Sequence, residues 1–169
     1  MKQASAQLEM SADVRLLLDS FDPAQELAAF TAIRPEAGGI VSFLGQVRNG
    51  VSEAGGAREA GDVEALELQH YEPLTLPEMC KLGDEALRRW ELDGLLIIHR
   101  AGLMHPGDPI VLVAAAACHR RDAFAAADFA MDHLKSESWF WKREMVGGEW
   151  RWVEPREVDF EDTQRWTQG

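Results

Sequence analysis

The feature that most constrains this chain is the run Pro109 to Cys118, PIVLVAAAAC. It is nearly all apolar, as expected of a strand buried on both faces. Such a strand needs cover, and two long amphipathic segments can supply it. Thr75 to Leu92 places Leu76, Met79, Leu82, Ala86, Leu87 and Trp90 at helical spacing. Arg120 to about Glu137 does the same with Phe124, Ala127, Met131 and Leu134 on its core face.

The other elements follow from local signals. Val14 to Leu18 is an apolar run that reads as a first strand. Asp22-Pro23-Ala24-Gln25 combines a cap, a proline at the first helical position and a glutamine three residues after the cap, so a short helix to about Ala32 is expected. Gly39 to Val47 reads as a strand with a possible bulge at Gly45. Val63 to Tyr71 is a strand with Leu66, Leu68 and His70 on one face and Glu67, Gln69 and Tyr71 on the other. Gly94 to Gly102 is a strand, and His105 to Asp108 is a turn. Gly147-Gly148 between aromatic runs signals a hairpin over about 139–153. Residues 49–62, rich in Gly, Ala and charge, read as a mobile loop, and the polar tail 160–169 as frayed. The order β-α-β-β-α-β-β-α-β-β defines an α+β chain, one domain over 1–169, with a mixed sheet, two covering helices and an aromatic C-terminal hairpin.

Charge narrows the function classes. The chain carries 29 Asp+Glu against 17 Lys+Arg, which argues against general nucleic-acid binding. No stretch approaches the roughly 20 apolar residues of a membrane span. Met1 to Met10 lacks the apolar core of a signal peptide. Cys80 and Cys118 form neither a disulfide framework nor a metal-ligand spacing. The expectation is a cytoplasmic protein without metal or cofactor.

Against this acidic background, the run His133 to Glu144 (HLKSESWFWKRE) is unusual. It holds Lys135 and Lys142, with Trp139, Phe140 and Trp141 just before the second lysine. A basic, aromatic-flanked patch suggests a pocket for an anion, with lysine available for chemistry. His119, Arg120 and Arg121 fall where the buried strand ends and the second long helix begins. Cations there oppose the helix dipole, while the free N–H groups favour an anion. Locally unfavourable placement of this kind is expected at functional sites. The same residues also fit solvated surface arginines beside a hydrogen-bonded histidine.

Lys135 lies near the end of that helix, where any cation suits the dipole. Alternation puts Phe140 and Lys142 on one face, and Trp139 and Trp141 on the other. A lysine among aromatic residues and other cations is partly desolvated, and both effects favour the neutral amine. A snorkelling lysine on an edge strand satisfies the same pattern. Arg48 ends its strand beside the loop and is, by default, a loop arginine. Cys118 precedes His119, but adjacent strand residues point to opposite faces, so Cys118 reads as a small buried residue. Trp139, Trp141, Trp150 and Trp152 read as core or subunit-interface residues.

Taken in order, several pieces of the chain resemble the large, catalytic subunits of molybdopterin synthase. They are Gly45-Gln46-Val47-Arg48-Asn49, Leu66 to Tyr71, Ile98-His99-Arg100-Ala101-Gly102, Pro106-Gly107-Asp108, His119 to Phe124, Leu134-Lys135, Phe140 to Glu144, and Trp152-Val153-Glu154. The resemblance spans roughly residues 13–159. It implies an α/β hammerhead fold with an additional antiparallel β subdomain. It also implies a homodimer that forms a heterotetramer with a small ubiquitin-like sulfur carrier. The carrier's C-terminal Gly-Gly thiocarboxylate would enter a pocket, and two sulfur transfers to cyclic pyranopterin monophosphate would make the dithiolene of molybdopterin.

By position, Lys135 and Lys142 match the family's active-site lysines. Arg48, His119 and Arg120 match its anion-binding residues, and Arg156 matches an arginine that reaches a neighbouring subunit's site. Trp139 stands where the family usually has proline, which would stiffen the approach to the strand. Two other readings compete. One is a non-catalytic dimeric scaffold that captures a ubiquitin-like tail. The other is a sulfurtransferase that depends on Cys118. The first needs neither lysine for turnover; the second would be stopped by alkylation.

Overall fold

The apolar run forms β6 (Pro109–Ala117), covered on both faces. Val111, Val113, Ala115 and Ala117 face one core cluster; Leu112, Ala114 and Ala116 face the other. This is strand alternation with apolar side chains on both sides. The first cluster is closed by α2 (Glu72–Arg89) and α3 (Arg120–Ser136), and the second by α1 (Pro23–Ala32) through Phe30. The computed structural model describes residues 11–50, 62–136, 139–154 and 157–166.

Strand β6 lies inside a four-stranded sheet ordered β1-β4-β6-β2, with β1 (Asp13–Leu17), β4 (Leu92–Arg100) and β2 (Gly39–Gln46). β1 and β4 pair parallel, and the other two pairs are antiparallel. A second sheet, ordered β5-β3-β7-β8, is antiparallel throughout. It comprises β3 (Val63–His70), β5 (Gly102–Met104), β7 (Phe140–Val146) and β8 (Glu149–Val153). Its core is small: Val47, Leu66, Leu68 and Met104, with Ile110 and Phe140 against them. The result is the expected α+β, hammerhead-like arrangement with an added antiparallel sheet. Among the described residues no helix is long and apolar enough to cross a membrane.

Local chemistry fixes several joints. Asp22 Oδ1 accepts from the Ala24 and Gln25 amides at 2.9 and 3.2 Å, so it caps α1 as its sequence suggests. Gly147 and Gly148 both have positive φ, +59° and +78°, which matches the right-handed twist of the β7–β8 hairpin. The ladder of β2 shifts register between Gly45 and Gln46, where the bulge is expected.

Other expectations need correction. Phe124 is not a core residue; it is 61% exposed. The buried stripe of α3 runs through Ala123, Ala126, Ala127, Ala130, Met131 and Leu134, so Phe124 lies one residue, about 100°, outside it. Leu76 is likewise exposed, beside a stripe through Thr75, Met79, Leu82 and Ala86. Helix α2 starts earlier than expected, at Glu72. Pro73 needs no amide in the first turn, and the Thr75 hydroxyl accepts from the Tyr71 amide at 3.1 Å. Cys118 is exposed, because β6 ends at Ala117 and leaves it in the link to α3.

The tail expected to fray carries α4 (Glu157–Gln164). Beyond it, Trp166 packs edge-on against Trp90 and Phe129, with centroids 5.7 and 5.4 Å apart. The Trp166 indole donates to Asp132 Oδ2 at 2.6 Å. One anchored tryptophan offsets an otherwise polar composition. Most of the loop expected to be mobile, residues 51–61, and the last three residues lie outside the described residues.

Candidate active site

Three elements converge where the first sheet meets the second. The end of β2 is held by the turn at Pro106-Gly107-Asp108. The Val47 amide donates to the Asp108 carbonyl at 2.9 Å, and the Gly107 amide to the Val47 carbonyl at 2.8 Å. Gly107 has φ +92°, a conformation that favours glycine. Behind the turn, buried Arg100 donates to the Pro109 carbonyl at 3.3 Å and lies 3.5 Å from Asp108 Oδ2. This bracing sets the direction in which Arg48 leaves the sheet.

Lys135 stands in the last turn of α3, a placement that complements the helix dipole. That turn is tied down on both sides of the lysine. Ser136 Oγ donates to the Asp132 carbonyl at 2.8 Å and accepts from Thr163 Oγ1 beyond it. Lys135 itself is exposed and, among the described residues, forms no ion pair.

Lys142 lies on β7, opposite Leu68 on β3 and Val153 on β8. Its Nζ is 2.9 Å from Glu144 Oε1, and Glu144 is 3% exposed. To the expected cations and aromatic residues, Arg48, Lys135, Phe140 and Trp141 in the same cleft, the structure adds a buried carboxylate two residues on, on the same strand face. Arg143 points the other way. It pairs with Glu67 and sits over the Trp150 ring at 4.6 Å. The approach to β7 is held by Thr75, whose hydroxyl donates to the Trp139 carbonyl at 2.9 Å.

His99, at the end of β4, completes the wall. Its ring stacks on Phe140 at 4.2 Å with 17° between planes. Its Nδ1 lies 2.9 Å from the Arg100 carbonyl, which can only accept, so Nδ1 carries the proton. Burial pushes the His99 pKa down to about 4, against a weaker opposing pull from that carbonyl.

Arg48, Lys135, Lys142, His99 and Glu144 line one cleft of about 800 Å³. Arg120 lines an adjoining cleft of about 970 Å³ with Arg121, Phe124 and Trp166, and Lys135 borders both. His119 lines neither; its carbonyl accepts from the Asp122 and Ala123 amides at the start of α3. Arg156 lies outside the described residues. Cys80 and Cys118 line neither cleft. Sequence reasoning did not single out Glu144 or His99. Glu144 was accessible in principle, two positions after Lys142 on an alternating strand. His99 stood in the Ile98 to Gly102 piece of the resemblance but without a role of its own, since a lone histidine in an apolar strand also fits a core residue.

Comparison with known proteins agrees along most of the chain. The family model for the MoaE protein matches residues 18–137. The molybdopterin synthase catalytic subunit of Mesorhizobium japonicum is 44% identical over 155 residues, covering 90% of this chain and 92% of its own. That of Ralstonia nicotianae is 42% identical over 153 residues, covering 90% and 83%. The solved molybdopterin biosynthesis MoaE protein of Burkholderia ambifaria superposes with a TM-score of 0.73 at 39% identity, covering 94% of this chain and 99% of that one.

Proposed function

This chain belongs to the MoaE protein family, and from that premise we propose that it is the catalytic subunit of a molybdopterin synthase, a sulfurtransferase of molybdenum cofactor biosynthesis. Its substrate is cyclic pyranopterin monophosphate. The sulfur arrives as the C-terminal thiocarboxylate of a small ubiquitin-like carrier, and two transfers build the dithiolene. The observation that carries this reading is the meeting of Arg48, Lys135 and Lys142 in one cleft. All three are donors without acceptor capacity, suited to a phosphate and a thiocarboxylate together.

In each transfer the thiocarboxylate sulfur bonds to a carbon of the pyranopterin side chain as a C–O bond there breaks, the oxygen leaving with the phosphate when the cyclic ester opens and as water at the other carbon. The acyl–sulfur bond of the carrier is then hydrolysed. Water takes the sulfur's place on the carrier, which leaves as a carboxylate. The nucleophilic sulfur belongs to the partner, so a cleft with no cysteine in its lining suits the reaction. We assign Lys142, beside the Glu144 carboxylate, to proton movement, and exposed Lys135 to steadying the thiocarboxylate. We assign anion binding to Arg48 in this cleft and to Arg120 in the adjoining one, with His119 beside Arg120 at the start of α3 as a further donor and Arg156 serving a neighbouring subunit's site. The assembly is a homodimer with one carrier on each large subunit. Exposed Trp141, Trp152 and Phe124 offer apolar surface for such contacts.

The test is conversion of cyclic pyranopterin monophosphate to molybdopterin by purified protein with thiocarboxylated carrier. Carrier ending in a plain carboxylate should give none. A folded protein that binds the carrier yet makes no dithiolene would return the chain to the scaffold reading. Light scattering should give a dimer without carrier.

A further inference from the structure

We propose that His99 Nε2 is the acceptor that reads an N–H donor on the substrate's heterocycle, making His99 a specificity-determining residue of the cleft; this rests on the functional reading above. The cations of the cleft can hold anions, but they cannot accept a hydrogen bond. A reduced pterin presents N–H donors as well as its phosphate, so its ring needs acceptors. Glu144 is engaged by Lys142 through Oε1, and the other side-chain acceptors of the lining, Gln46 and Glu154, are exposed, whereas His99 is buried. His99 lines the same cleft, and its Nδ1 proton is committed to the Arg100 carbonyl.

Among the described residues, nothing holds Nε2. The ring is 6% exposed and clamped against Phe140 at 4.2 Å, so the acceptor is fixed in place rather than free to turn. Its low pKa keeps the ring neutral at physiological pH, which leaves the Nε2 lone pair available. A fixed neutral acceptor at a buried wall discriminates strongly, because a ligand lacking the matching donor leaves it unpaired.

Two substitutions separate recognition from support. His99→Asn can keep the donor to the Arg100 carbonyl but loses the distal acceptor. His99→Gln can place an amide oxygen near the Nε2 position but loses the backbone bond. With thiocarboxylated carrier, His99→Asn should raise KM for cyclic pyranopterin monophosphate about 10-fold, with a smaller change in kcat and unchanged carrier binding, while His99→Gln should stay within about threefold of wild type. The reverse order, or no change in either, would overturn the proposal.

A second measurement needs no variant. In ¹⁵N-histidine-labelled wild-type protein, the His99 Nε2 resonance should move when the cyclic phosphate is added, and inorganic phosphate alone should leave it in place. An unmoved resonance at saturating substrate would overturn the inference while leaving the sulfurtransferase reading intact. Wild-type protein that makes no product and binds no cyclic phosphate would overturn both.

Discussion

From Val111 to Ala117 every residue of β6 is buried and none is ionisable, whereas β7 carries Lys142, Arg143 and Glu144 in succession. The first strand is sealed between helices; the second belongs to a sheet with a small core and exposed tryptophans. A sheet covered on both faces fixes positions but leaves no room to present charge. A sheet open on one side can present charge but anchors it weakly. The cleft forms where the two meet. The sealed sheet and its helix contribute Arg48, His99 and Lys135 from their ends, and the open sheet contributes Lys142 and Glu144. This division of labour can be tested from either side.

The largest effect should come from the sealed side. Phe129 on α3 is buried against Trp90 and Trp166. Phe129→Ala should cost about 3–5 kcal/mol of stability, read by urea denaturation. Turnover per folded molecule should change little, and a large loss of turnover in the folded fraction would mean that support and chemistry are not separable.

At the seam, His99 ties stability to pH. Its pKa is about 4 in the folded protein against 6.5 for an ordinary histidine, so between those values the unfolded chain takes up a proton that the native state refuses. Unfolding free energy should therefore fall as pH drops from about 6.5 to about 4, by roughly 3 kcal/mol from this group. The difference between wild type and His99→Phe across that range isolates it. Parallel pH profiles would show that His99 is not buried as a neutral ring.

The open side should show the opposite pattern. Lys135→Ala and Lys142→Ala should each cut dithiolene formation about 10²-fold or more, with the thermal midpoint nearly unchanged for exposed Lys135 and lowered for Lys142, whose loss takes a partner from buried Glu144. Arginine at position 142 should rescue poorly, since it restores charge but not proton exchange, whereas at position 135, where charge steadies the thiocarboxylate, it should recover more of the activity. Near-normal turnover in Lys142→Ala would move proton transfer elsewhere, and activity in both single variants would remove the lysines from the mechanism.

The smallest effect probes whether the two clefts act together. Arg120→Ala should weaken binding of the cyclic phosphate by about ten-fold, as expected for one charge-assisted hydrogen bond. Unchanged affinity in the folded variant would leave Arg120 as a surface arginine on α3.

Much of this arrangement was legible before folding. The both-face burial of β6 is written in its apolar run, the α1 cap in Asp22-Pro23, and the hairpin in Gly147-Gly148. These signals act over a few residues, so the local chain carries them in full. The lysines were visible too, as residue types out of keeping with an acidic chain. What tertiary structure alone decided is which groups face each other. The phase of α3 turned Phe124 outward, because the stripe that meets the sheet starts at Ala123. Trp166 found its seat only because α2 and α3 hold Trp90 and Phe129 side by side. Glu144 became the partner of Lys142, and His99 the stacked wall over Phe140, through strand pairing and sheet junction. Charge, burial and tautomer depend on neighbours in space, and strands distant in sequence supply those neighbours.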